Sequence, residues 1–317
     1  MGRKTLALLF AAFLGTTAFA GHITFMPQWT PQAQFAGYYV ALEKGYYSEA
    51  GVDVTLRHPS SSSKLSCMDY LAGGDVDIVT SMLATGISHR ADGDKIINVL
   101  QTSQNTGLCC MAHTPISKLE DLNGMSIGRW KSGFGENATI AQKDLGLDIE
   151  WIPYLYGTSL FISKAVDATL CYSFNELIQL YLSMGETPKE NILFFKDCGY
   201  NYPEDGLYVT ETFYNAHKED VENFVEASKR GWDFCREHPE EALKVVKKFT
   251  NLHHIRTNDT HQRMMLKVIL TLQENRKTGK ADYAPVSREL FDELSRKGAE
   301  NGLFSRVVKY EEIIRTK

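Results

Sequence analysis

Three stretches of the sequence carry side chains able to grip a small planar molecule. The first is Gln28-Trp29, just after an apolar segment and just before a helical one. An indole there either packs as core at a strand end, as large aromatics commonly do, or stacks on a planar ring. Gln28 offers an amide to the same place. Tyr38 and Tyr39 follow on adjacent helix positions, which face different ways, so one is expected inward and the other, taken as Tyr38, toward a ligand. The second stretch is Asn175-Glu176, after a predicted strand at 168–171 and at the start of a helix. Its carboxylate either binds a ring amino group, together with a protonated ring nitrogen, or favours its own helix N-terminus.

The third stretch is GRWKSGFGEN, 128–137. Backbone N–H groups of Gly133 and Gly135, just before a helix, can cradle an anion. Lys131 adds charge to that cradle and Glu136 opposes it. Trp130 is either a second stacking face or packing beneath the loop. The stretch is no Walker loop, because G-x-x-x-x-G-K-[ST] is missing. Nothing in the sequence marks a nucleophile elbow such as G-x-S-x-G, and no C-x-x-C or completed histidine set points to a metal. Neither a catalytic residue nor a metal site is expected.

Composition narrows the field further. The net charge is −5 with no Lys/Arg stripe interleaved with aromatics, which argues against nucleic acid. MGRK, the apolar run TLALLFAAFLG and Ala18-Phe19-Ala20 read as a basic start, a hydrophobic stretch and a small-x-small cleavage site. Residues 1–20 are therefore expected to be a secretory signal peptide. No cysteine follows for a lipid anchor, and no later run reaches the roughly 20 apolar residues of a membrane span. Export permits disulfides among the six cysteines. They allow 15 pairings, and the sequence does not choose among them.

The elements that must position these side chains follow from periodicity. His22–Met26 reads as a strand, and Thr30-Pro31 as an N-cap followed by proline at the first helical position. Phe35, Tyr38/Tyr39, Leu42 and Tyr46 then make a helical stripe. VDVTL, DVDIVT and IINVLQT read as strands, separated by helices around Leu65–Leu71 and Met82–Arg90. SSSS, 60–63, reads as a loop whose hydroxyls either face a ligand or, as composition favours, sit in a solvated turn. GLCCMA opens a second α/β series with strands near Ile149, Leu170 and Leu193. GLYVT returns the chain to the first unit, and helices follow near 240–250, 259–277 and 287–300. Strands alternating with helices imply largely parallel α/β sheets.

QWTPQAQFAGYYVALEKGYYSEAGVDV, followed by LAGGDVDIV, LEDLNGMSIG and YSFNE, resembles the family of periplasmic proteins that bind thiamin pyrimidine precursors. Binders of aliphatic sulfonates and taurine are related. The resemblance implies the type II periplasmic-binding-protein fold, two α/β lobes around a ligand cleft joined by two crossing segments near 108–113 and 198–204. Lobe 1 would be 21–110 with 203–317, and lobe 2 would be 111–202. It also implies a monomer serving an ABC transporter permease in the periplasm, with a small planar heterocycle as ligand and a sulfonate or a sensing role as alternatives. The ligand contacts expected are Gln28, Trp29, Tyr38, Thr80, Ser81, Trp130, Lys131, Gly133, Gly135, Glu136, Tyr172, Asn175 and Glu176. The same family includes fungal synthases of hydroxymethylpyrimidine phosphate, which consume their own histidine and a pyridoxal phosphate held on a lysine. In DIVTSMLATG the lysine's place is taken by Thr80 and the histidine's by Ala84, and the loop DCGYNYPED has only Cys198. No cofactor is expected, and binding rather than catalysis. If the export reading holds, N-terminal sequencing of the secreted protein begins at Gly21; an intact Met1 would overturn it.

Overall fold

The computed structural model describes residues 21–60, 63–131, 134–154, 158–185 and 187–315. The expected signal segment 1–20 and Gly133 lie outside the described residues. Alternating β-branched runs and helices build two five-stranded sheets among the described residues. The first contains β1 (Gly21–Met26), β2 (Val52–Leu56), β3 (Ile78–Met82), β4 (Ile96–Gln101) and β10 (Asp205–Thr210), in the order β2-β1-β3-β10-β4. The second contains β5 (Leu108–Ala112), β6 (Ser126–Trp130), β7 (Glu150–Tyr154), β8 (Ala168–Tyr172) and β9 (Ile192–Phe194), in the order β7-β6-β8-β5-β9. Helices cover both faces of the central strands, so IVTSM, LCCMA and ATLCY are buried at every residue.

Neither sheet is purely parallel. β10 runs antiparallel to β3 and β4, and β5 runs antiparallel to β8 and β9. The cause is topological. Each of these strands is the one that has just crossed from the other lobe. It enters where the parallel strands end, and so runs against them. The first crossing is therefore 102–107, ahead of the expected 108–113, because Leu108–Ala112 is already a central strand of the second sheet. The lobe boundary expected at 110 moves with it. The second crossing lies between Phe194 and Asp205 and includes the short helix Phe195–Asp197.

Two helix starts also differ from expectation. Thr30-Pro31 caps nothing: the chain bends through residues 28–32, turns as a 3₁₀ helix at Ala33–Phe35, and only then enters the helix Ala36–Glu43. The donor left open at that start is met from afar, Ala33 N–H donating to Gln262 Oε1 at 2.6 Å. Leu65 lies outside its helix and is 52% exposed, because Ser66 and Asp69 form a capping box that starts Cys67–Ala72. Cys109 and Cys171 face each other across β5 and β8 with sulfurs 3.5 Å apart, without a bond between them.

The crossings are held together by a buried acid. Glu204, in the second crossing, accepts from the Thr106 hydroxyl and from Gly107 N–H (2.9 Å) in the first. Thr106 N–H also donates to Asn201 Oδ1 at 2.9 Å. Burial pushes the Glu204 carboxyl up to about 8, against the pull of its two donors. A carboxyl raised on folding contributes stability that is fully present below its unfolded value, about 4.5, and is lost as pH rises through about 8. Glu204→Gln keeps both hydrogen bonds, its amide oxygen accepting from Gly107 and its N–H donating to Thr106. Denaturant melts of this variant are expected to lose less stability across that window than the parent. An unchanged slope would rule Glu204 out as a source.

Candidate functional site

The carboxyl ends of β1, β6 and β8 converge on a cluster of aromatic rings, at the edge where ligands sit in open α/β sheets. Trp29 follows β1, Trp130 ends β6 and Tyr172 ends β8. Trp29 meets Phe134 edge-on with centroids 5.4 Å apart. Trp130 tilts over Tyr172 at 5.0 Å, and Tyr172 stacks on Phe174 at 5.1 Å. Trp29 belongs to the first lobe and the other rings to the second. Between them is a slot of about 30 Å³ bounded by Gln28, Gln34 and Glu176, room for a water or two and no ring.

The polar floor of the slot is oriented from below. Asp205, the first residue of β10, accepts from Gln28 Nε2 at 2.6 Å and from Gln34 Nε2 at 2.9 and 3.1 Å. An acceptor-only carboxylate draws both amide NH₂ groups toward itself. Gln28 is thereby left with its carbonyl oxygen for the cleft. Burial raises the Asp205 carboxyl to about 6, with the Gln34 and Gln28 bonds holding it down. Gln28 N–H donates to Thr80 Oγ1 at 2.8 Å. His58 bridges Trp29 carbonyl (2.6 Å) and Tyr39 hydroxyl (3.1 Å), and burial lowers its pKa to about 4, which keeps it neutral near neutral pH.

Glu176 supplies the other acceptor. It opens the helix Glu176–Met184, takes Tyr172 N–H at 3.0 Å on one oxygen and Asn175 Nδ2 at 2.8 Å on the other. Burial raises its pKa; the Tyr172 and Glu176 backbone N–H groups, the Asn175 amide and the Trp130 indole act the other way.

Two larger cavities flank the slot, of about 490 and 630 Å³, and both include Trp29 and Trp130 in their walls. Ser81 and Lys131 line the first, as do Ser60 and Ser63 of the serine loop. Asn175 and Glu176 line the second. The expected residues Gln28, Trp29, Ser81, Trp130, Lys131, Tyr172, Asn175 and Glu176 thus line the slot or the two cavities beside it, Trp29 and Trp130 being common to all three. Others do not. Tyr38 and Tyr39 are both in the core, Tyr38 against Phe25 and Trp232, Tyr39 stacked on Phe249 at 4.3 Å. Helices pack on both sides of this segment, so neither tyrosine reaches the cleft. Thr80 lies beneath Gln28 as its backbone anchor. The Gly135 N–H is taken by the Glu136 carboxylate at 3.0 Å, so the expected anion cradle is filled by the chain itself. Glu136 also faces Thr85 of the other lobe at 3.5 Å.

Comparison with known proteins fits this geometry. The family model described as NMT1/THI5 like matches residues 32–242. The chain belongs to the NMT1/THI5-like family. A riboflavin-binding protein of Chloroflexus aurantiacus is 26% identical over 237 residues, 72% of this chain and 66% of that one, just under two thirds of its length. A formylaminopyrimidine-binding protein of Halalkalibacterium halodurans is 24% identical over 259 residues, 76% of each chain. The periplasmic aliphatic sulphonate binding protein of Escherichia coli superposes with a TM-score of 0.67 at 14% identity, over 93% of this chain and 92% of its own. A Candida albicans protein described as having the generic periplasmic binding protein fold gives 0.61 at 16% identity, over 93% and 96%. The fold is therefore that of the periplasmic binding proteins. In this NMT1/THI5-like chain, Thr80 and Ala84 are both buried.

Sequence reading missed Gln34, Asp205, Phe134 and His58. Asp205 had one available signal, an acid at the first position of a returning strand. The glutamine bonds lower its pKa, so removing one should raise it. Carbon-13 NMR of the labelled carboxyl is expected to place Asp205 near 6 in the parent and higher in Gln34→Leu. A fall would contradict the assigned bonding.

Proposed function

We propose that this chain is a periplasmic solute-binding protein of an ABC importer. Its ligand is a planar nitrogen heterocycle with hydrogen-bond donors on one edge, a thiamin-type aminopyrimidine in the first instance. The observation that carries this is a slot walled by aromatic rings and floored by acceptors, Glu176 from one lobe and the Gln28 carbonyl from the other. A ring edge bearing an amino group or ring N–H satisfies both. Two relatives named for riboflavin and formylaminopyrimidine, each a planar nitrogen heterocycle, support the same reading. A sulfonate is disfavoured, since Glu136 occupies the Gly135 N–H and Glu176 faces the slot.

Function then follows from closure. The ligand bonds to residues of both lobes and shifts the population toward the closed form, which a permease reads. In this reading the protein works as a monomer and holds its ligand without a cofactor or a chemical step, in keeping with relatives named as binding proteins.

Two substitutions separate the contributions. Stacking on an aromatic is worth about 1–3 kcal/mol per base, so Trp29→Ala is expected to weaken every planar ligand by roughly tenfold to a hundredfold. Glu176→Gln keeps the shape and loses the charge. It should weaken a ligand bearing the amino group and barely affect its analogue without one. Calorimetry with that pair of ligands is the measurement. Equal loss for both would return Glu176 to a helix-capping role and remove the main support for the pyrimidine.

A further inference from the structure

The sequence leaves the pairing of the six cysteines open; the fold brings two of them face to face. Cys109 of β5 and Cys171 of β8 are directly opposite in the antiparallel register of the second sheet. Residues so placed have Cα atoms about 4.5–5.5 Å apart, within the roughly 4.4–6.8 Å that a disulfide spans. Their sulfurs are 3.5 Å apart, and the Cys109 thiol faces the Cys171 carbonyl at 3.3 Å. No other two cysteines are register partners among the described strands. Cys110 points to the other side of the sheet, into the main core. Cys67 and Cys235 are in first-lobe helices, and Cys198 follows the short helix of the second crossing.

The pair belongs to a small second core, apart from the main one, with Met111, Phe161, Val166, Leu177, Leu180 and Ile192. Leu177 and Leu180 are on the helix Glu176–Met184, and Cys171 directly precedes Tyr172, whose N–H donates to Glu176. The two thiols therefore lie under the helix that carries the acid of the slot. Both are fully buried. The Cys109 thiol beside it, and then burial, push the Cys171 thiol well above its usual value. Thiolate is the attacking form, so a thiol held this way is a poor nucleophile in the folded protein. Reduced cysteines also pack as small apolar side chains. Packing alone does not call for two sulfurs aligned across one rung of a ladder.

We propose that Cys109 and Cys171 close into a disulfide while the chain folds in an oxidising compartment, and that the bond braces β5 to β8 beneath the helix that begins at Glu176. The oxidant is itself a disulfide, of glutathione or of a thiol oxidoreductase. One cysteine thiolate attacks it, forming a mixed disulfide and releasing one thiol. The second cysteine then attacks the first cysteine's sulfur and releases the other thiol. One sulfur–sulfur bond forms in the protein and one is lost from the oxidant, which takes up both electrons and both protons. The exchange precedes burial of the pair by Phe161, Leu177 and Leu180, after which no oxidant reaches either sulfur. Closing the bond brings the sulfurs from 3.5 Å to about 2.0 Å. The proposal takes only the supply of oxidant from the export reading, and nothing from the ligand.

The test counts thiols. The full chain is unfolded with reductant, refolded in a buffer of oxidised and reduced glutathione, then denatured and alkylated without further reduction. Four of the six cysteines are expected to be alkylated. A protease map should join the peptide holding Cys109 to the one holding Cys171. Cys110→Ala should keep that link and Cys109→Ala should lose it. Protein sent to a bacterial periplasm by a host signal peptide is mapped in the same way, and decides the matter where refolding yields no soluble chain. Neither route uses the chain's own first residues, so the export reading stands or falls separately. Linked protein should melt about 5 °C or more above the same protein after reduction, because the bond restricts the unfolded chain. Six alkylated cysteines in the folded protein, or a link made through Cys110, overturns the proposal. A linked protein that melts no higher than its reduced form overturns the bracing role.

Discussion

Two adjacent buried carboxylates, Glu204 and Asp205, tie the hinge to the site. They lie where the second crossing becomes β10. Glu204 faces the first crossing and holds Thr106 and Gly107; Asp205 faces the cleft and holds Gln28 and Gln34. The backbone that follows them is equally engaged. The Asp205 carbonyl accepts from Thr102 N–H at 2.9 Å, Ser103 N–H at 3.0 Å, the Thr102 hydroxyl at 2.7 Å and Gln101 Nε2 at 3.0 Å. Burying two acids side by side is expensive unless donors surround them. Here the donors come from the first crossing and from Gln28 and Gln34. A rotation of one lobe against the other must therefore pivot about, or rearrange, the same bonds that aim the site's amides.

The element pattern was legible because it is local. β-branched runs, helical stripes and glycine breaks gave most of the strands among the described residues their approximate places, from GHITFM to DGLYVT. Sheet membership is not local. LCCMA reads as a buried strand in whichever lobe it sits, so periodicity alone could not place the crossing ahead of it. The antiparallel course of β5 and β10 is likewise a consequence of which lobe the chain has just left. Thr30-Pro31 misled for a different reason. Its sequence is that of a helix start, yet Gln262, more than two hundred residues downstream, provides the cap instead.

The site was legible where a residue type fits poorly with the bland alternative. Trp29 and Glu176 are such residues, and the fold brings them to one slot. What was hidden depends on pairs far apart in sequence. Gln34 and Asp205 are 171 positions apart, and neither suggests the other until β10 lies beside β3. Tyr38 failed because adjacency on a helix was taken to mean opposite faces. The helix Ala36–Glu43 is covered by the helices Lys218–Glu237 and Pro239–Leu252, so both faces are core. Gly135 failed because a neighbouring side chain, Glu136, already accepts its N–H.

The small volume of the slot has a consequence for specificity. Phe134 stands edge-on to Trp29 and holds a left-handed backbone at φ 62°, a conformation that costs a bulky residue roughly 1–3 kcal/mol. A ring entering the slot must displace it. The ligand therefore exchanges one aromatic contact for another, and the net gain from stacking is smaller than for an open indole. That gain is also indifferent to ring identity, because every planar ring has a π face. Discrimination must then come from the acceptors. A ligand that moves Phe134 aside but brings no donors to Glu176 and Gln28 leaves buried acceptors unpaired, a penalty that one presenting them avoids. On the proposed reading the aromatic walls admit a class of molecules, and the two acceptors, one on each lobe, choose within it.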